Sequence, residues 1–322
     1  MCRPLLAAIF LATPALADYR EVVEGHILPG YAAFAAATDD LAEKAGESCD
    51  AEALKPAYQA AFDAWMAVSH LHLGPADEKG RALAIAFWPD PKGLGAKAQR
   101  GLLTGDPAAL APEAFADQSV AARGLMGLER LPYPDEPPAA DPCALIRATA
   151  GDLARMAGEI EAEWRDGYAD LMLSPGAAGN ASYLTEQEVR QALFTQLATA
   201  LEFLADTRLG RPLGTFDRPR PERAEARASG RSLANVRAEL AALRDLTARL
   251  APEAADTLAA FDRAIGLADK LDDPVFAAVA DPQGRLKVEI LQGAVKTARD
   301  TAVAELGKDL GVSIGFNAAD GD

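Results

Sequence analysis

Apolar residues recur at three- and four-residue intervals along most of the chain, the period of amphipathic helices. The first helix is predicted over 18–45, with Tyr19, Val22, Val23, His26, Ile27 and Phe34 on one face and a kink at Pro29. A second runs from about Asp50 to Leu73, with a stripe of Tyr58, Phe62, Trp65, Met66 and Ser69, and stops at Gly74-Pro75. Short helical segments over 77–87 and 94–103 flank Trp88-Pro89-Asp90-Pro91, whose two prolines impose an extended loop. A central helix follows over 112–131, then a proline-rich loop to Pro142, then a long helix from Cys143 to Leu173. Thr185-Glu-Gln-Glu188 is a capping box opening a helix to Leu209, and further helices are predicted over 232–250, 252–271 and 285–310. No stretch shows the strict alternation of a strand.

The central segment, Ser119 to Leu131, carries two glycines, Gly124 and Gly127, among Leu125, Leu128 and Leu131. A glycine inside a helix costs about 1 kcal/mol relative to alanine, so another backbone or a ligand is expected to come close there. Met126 and Glu129 are three residues apart and share a face. A carboxylate on a buried face demands a partner.

This pattern implies an all-α protein of two four-helix-bundle-like domains packed together, 18–173 and 185–322, joined by a Gly/Ala/Ser-rich linker at 174–184. The 6% aromatic content agrees with helices over strands. The net charge of −16 argues against a nucleic-acid partner, because phosphate binding needs a basic surface. Residues 1–17 read as a signal peptide: Arg3, the apolar run Leu5–Leu11, then Ala15-Leu16-Ala17 before the cleavage point. An exported, periplasmic protein without a later membrane span is expected. Removal of Arg3 takes the mature charge from −16 to −17. Export leaves Cys49 and Cys143, either a disulfide or two separate buried thiols.

Several collinear blocks resemble the imelysin-like family, the group classed as M75 peptidases. They are Phe62 to Pro75, Phe87-Trp-Pro-Asp90, Arg208-Leu-Gly210, Ser229 to Asn235 and the tail Gly315 to Asp322. The family signature, Gly-x-His-x-x-Glu, falls on Gly124-Leu-Met-Gly-Leu-Glu129, with Met126 in the histidine's place. The resemblance implies a non-enzymatic component of iron or metal uptake, with a metal or ligand near this helix and periplasmic or membrane uptake proteins as partners. It implies as an alternative an M75 metallopeptidase; the Gly124/Gly127 face and the missing histidine leave open a third reading, a partner-binding scaffold. The candidate ion is iron, copper or zinc, held by Glu129 and His26; Met126, a soft thioether, favours Cu(I). His70, Trp65, Trp88, Asp90, Arg123 and Gly124 are further candidates for a surrounding cleft. Asp320 and Asp322 are either a cation or capping pair at the domain interface or a solvated acidic tail. Against proteolysis, the chain lacks His-Glu-x-x-His, and its three histidines, His26, His70 and His72, lie in the first two helices.

Overall fold

Asp18 begins the first helix by accepting the Arg20 N–H at 2.9 Å. The computed structural model describes residues 18–134, 138 and 140–309; residues 1–17, read above as a signal peptide, and the tail from 310 with Asp320 and Asp322 lie outside them. Helix α1 (residues 19–47) includes a π turn at Val23–Ile27. Pro29 has no N–H to give the Gly25 carbonyl, so the regular ladder cannot pass this point. The helix widens instead, and the Leu28 N–H bonds Val23 O. The expected kink is therefore a π turn, and it contains His26.

Helix α2 (Ala51–Met66) starts on an Asp50 cap and ends before Leu73, the predicted limit. His70 and His72 thus lie in a turn beyond the helix, one buried and the other exposed. Helix α3 (Leu94–Thr104) begins where Asp90 accepts the N–H groups of Leu94 and Gly95 at 2.9 and 2.8 Å. The Trp88-Pro89 bond before it is cis.

The predicted central helix is broken. Pro112–Ala116 is helical, Val120–Ala122 is a 3-10 turn, and α4 (Gly124–Glu129) is a six-residue helix. Gly124 has φ +63°, and a Cβ there would stand 2.1 Å from Ala84 O and 2.3 Å from Ile85 O. The close approach expected at these glycines is thus made by backbone, and the left-handed residue is what interrupts the helix.

Helix α5 (residues 143–173) packs along α1, with a π turn at Trp164–Tyr168. The Cys49–Cys143 disulfide joins the segment after α1 to the first residue of α5, with Cα atoms 5.3 Å apart. In the 174–184 connection, the buried Asn180 amide donates to Leu171 O and Ser174 O, and its oxygen accepts from Ser182 and Tyr183.

Helix α6 (residues 186–213) contains a third π turn, Phe203–Leu209. Helices α7 (Ser232–Leu250), α8 (Ala255–Asp269) and α9 (Pro282–Asp309) complete the second half and pack in sequence, with α6 also on α9. The protein is all-α; among the described residues the single extended pairing is an isolated bridge, Thr215 to Arg218. One continuous apolar core runs through both halves, from Tyr19 and Phe62 to Leu243 and Phe261. The first turn of α1 and helix α2 both lean on α7, which makes the junction of the halves a buried seam.

Candidate functional site

Three polar clusters occupy this seam. In the first, His26 Nδ1 lies 2.8 Å from Asp245 Oδ2 on α7, and His26 Nε2 lies 3.1 Å from His70 Nε2. Arg249, one turn beyond Asp245, donates to the same carboxylate oxygen at 2.9 Å. Its guanidinium fills the space beside Gly25 where a Cβ would stand, so the glycine lets α7 close on the π turn. The His26 hydrogen bond, with Arg249 in support, holds the Asp245 carboxyl down at about 2. Burial pushes His70 well below the usual imidazole value, and His70 Nδ1 is buried without a partner.

The second cluster answers the question of what pairs with Glu129. Its Oε1 accepts the Ser229 N–H at 2.9 Å and the Ser229 hydroxyl at 2.7 Å. Burial raises the Glu129 carboxyl, against the opposing pull of those two bonds. Around it, Gln59 donates to Ser229 O and Tyr133 Oη, and Arg231 donates to Gln59 and Asp63 on α2. This is a strut between the halves, built from α4 and the 229–231 loop.

The third cluster is at the second-half π turn. Arg208 Nη1 donates to Glu225 Oε2 at 2.6 Å and reaches the Met66 sulfur at 3.6 Å. Asn235 donates to the same Glu225 oxygen at 2.9 Å. Glu239 Oε2 stands 3.0 Å from Arg208 Nε, without the alignment of a hydrogen bond. Glu239 is 2% exposed, and burial pushes its carboxyl up to about 7. Arg208 and Glu225 form one wall of a cavity of about 300 Å³. Trp65, His72 and Trp88 come to it from the first half and Phe203 from the second. Trp88 meets Phe203 edge to face at 6.2 Å. A hollow of about 340 Å³ beside α3 has neither aromatic ring nor basic group in its lining.

The residues singled out in the sequence are therefore dispersed. His26 and His70 meet each other, and Trp65 and Trp88 share the cavity. Glu129 faces Ser229. Met126 is 6% exposed within the apolar core. Arg123 does not pair with Glu129: its guanidinium is buried on Asp152, at 2.7 and 3.1 Å. Asp90 caps α3, and Gly124 abuts backbone. Among the described residues, no three or more His, Cys, Asp or Glu side chains are grouped as a metal ion would need. Reading the sequence placed Arg208 and Ser229 in resemblance blocks without a site role, and missed Glu225, Glu239 and Asp245. A signal existed for Glu239, which interrupts the apolar stripe of Val236, Leu240 and Leu243 on α7.

Fold and seam together define an all-helical protein whose buried polar chemistry lies at the junction of two halves. The imelysin family model (peptidase M75) matches residues 27–302, and the chain belongs to that family. It is 23% identical over 308 residues to iron-regulated protein A of Synechococcus elongatus, spanning 87% of this chain and 82% of the relative. An imelysin-like protein from Psychrobacter arcticum shares the fold with a TM-score of 0.77 at 24% identity, covering 92% and 96% of the two chains. A precursor assigned as iron-regulated protein A from Parabacteroides distasonis shares it with a TM-score of 0.63 at 14% identity, covering 89% and 93%.

Proposed function

We propose that this protein is an exported, non-enzymatic component of iron handling that takes a small organic ligand, iron chelates included, into the cavity between its halves. The observation that carries this is the cavity's construction. Aromatic side chains from both halves line a volume suited to a small molecule, and Arg208 with Glu225 makes one of its walls ionic. The link to iron comes from the relative named iron-regulated protein A, and export from the signal-like residues 1–17. No described helix is long and apolar enough to cross a membrane. A metal at Glu129 is the second reading, favoured by the Gly124-x-Met126-x-x-Glu129 signature. Against it, one carboxylate oxygen is already engaged by Ser229.

Calorimetric titration of the mature protein with ferric citrate and ferric salicylate tests the proposal. Saturable binding that Trp88→Ala weakens about tenfold or more supports it. Binding indifferent to Trp88→Ala, or none to any chelate, overturns it.

A further inference from the structure

The loop from Glu225 to Arg231 touches both the cavity and the signature helix. At its start, Glu225 lines the cavity and accepts from Arg208 and Asn235 through one oxygen. Four residues on, Ser229 gives its N–H and its hydroxyl to Glu129. Gln59 donates to Ser229 O, and Arg231 donates to Gln59 and Asp63. The far end of the loop is therefore fastened to the first half, while its near end faces Arg208 in the second.

Between the two ends lies Ala226, 2% exposed, with φ +46°. The left-handed region crowds the Cβ of an ordinary residue against the backbone, a cost that glycine escapes. A strained residue of this kind persists only where its surroundings over-determine it. Here the Ala226 carbonyl accepts the Arg231 N–H at 3.0 Å, and the Ser229 hydroxyl stands 3.1 Å from it. Both partners belong to the end that Glu129, Gln59 and Asp63 hold in place. Ser232 Oγ donates to the Glu225 carbonyl at 2.6 Å and closes the base of the loop, so the strain is confined within it. Ala226 directly follows Glu225. If φ at 226 relaxed, the chain at 225 would turn and the carboxylate would leave Arg208.

Resting on the cavity reading above, we infer that Glu129 is a positioning residue for that cavity. Through Ser229 it keeps Ala226 left-handed, and Ala226 keeps Glu225 on Arg208. Glu129 is outside the cavity lining, so the glutamate of the signature acts on the ligand through this loop.

The test is calorimetric titration of the full mature chain with ferric salicylate. Glu129→Ala is expected to weaken binding about tenfold, within the usual range of couplings between sites. Glu129→Gln keeps an acceptor for Ser229 and should keep most of the affinity. Ser229→Ala removes the hydroxyl and leaves the backbone bond, so it should weaken binding less; it carries the test if Glu129→Ala does not fold. The decisive variants add Ala226→Gly to each alanine change. Glycine adopts the left-handed conformation without cost, so most of the lost affinity should return. A glutamate that only held the fold together would not be rescued in this way, because glycine restores neither hydrogen bond to Ser229. Binding that neither alanine variant weakens, or a loss that Ala226→Gly leaves unrepaired, overturns the inference; if Trp88→Ala still weakens binding, the cavity reading stands. If the wild type binds neither ferric salicylate nor ferric citrate, both fail.

Discussion

Glu129 Oε1 accepts both the backbone N–H and the side-chain hydroxyl of Ser229, two residues 100 positions apart in the chain. The glutamate of the family signature is therefore joined to the loop that opens α7. Removing the carboxylate leaves two donors unpaired in a largely buried place, at about 1–3 kcal/mol. Glu129→Ala is expected to lower the urea midpoint accordingly. Glu129→Gln keeps an acceptor and removes a desolvated charge, so its loss should be smaller. The two variants can be compared by denaturant titration, and an alanine variant as stable as wild type would refute the strut.

Glu239 should make stability depend on pH in the direction opposite to most carboxylates. Its folded value, about 7, lies above the ordinary 4.5, so the folded state holds this proton more tightly than the unfolded one. The contribution is complete below pH 4.5 and is lost as pH rises through about 7. The swing is on the order of 3 kcal/mol at most. Glu239→Gln should flatten the stability curve across this window and stabilise the protein at pH 8. A parallel pH dependence in variant and wild type would contradict the assignment.

The Cys49–Cys143 bridge closes a loop with a separation of 94 residues. On chain-entropy grounds such a closure contributes about 4–5 kcal/mol. The Cys49→Ser/Cys143→Ser double variant should unfold at markedly lower urea, and reductant should move the wild type the same way. Wild-type unfolding insensitive to reductant would argue against the bridge.

Met126 occupies the signature's histidine position, in the core. Met126→His places an imidazole there one turn before Glu129, at a cost of about 1–3 kcal/mol for a buried polar group. Zinc or iron should then restore stability by binding the folded state. Thermal melts with and without zinc check this: the variant's midpoint should rise and the wild type's should not. No rise in the variant would separate this helix from metal binding.

The helical period made the all-α fold legible, because each long helix buries one face in the shared core. What the period could not show was where helices widen or break. The turn at His26 follows from a missing N–H at Pro29, and the break at Gly124 follows from the backbone of Ala84 and Ile85 pressing against it. The site was less legible for a related reason. Its pairs join residues far apart in sequence, such as His26 with Asp245 and Glu129 with Ser229, and periodicity carries no information on such distances. Arg123 illustrates the ambiguity: its buried partner was not the signature glutamate but Asp152, on α5. The resemblance blocks at Arg208 and Ser229 did mark the second-half side of the seam, without saying what those residues touch.

The most direct measurement is metal retention by mass spectrometry on the mature protein. The protein is incubated with free ferric ion or with ferric salicylate, as wild type, Trp88→Ala and Glu129→Gln. Iron retained from the chelate, lost in Trp88→Ala and kept in Glu129→Gln, is the predicted result. Stoichiometric iron taken from the free ion and lost in Glu129→Gln would contradict it and place the site at the signature helix.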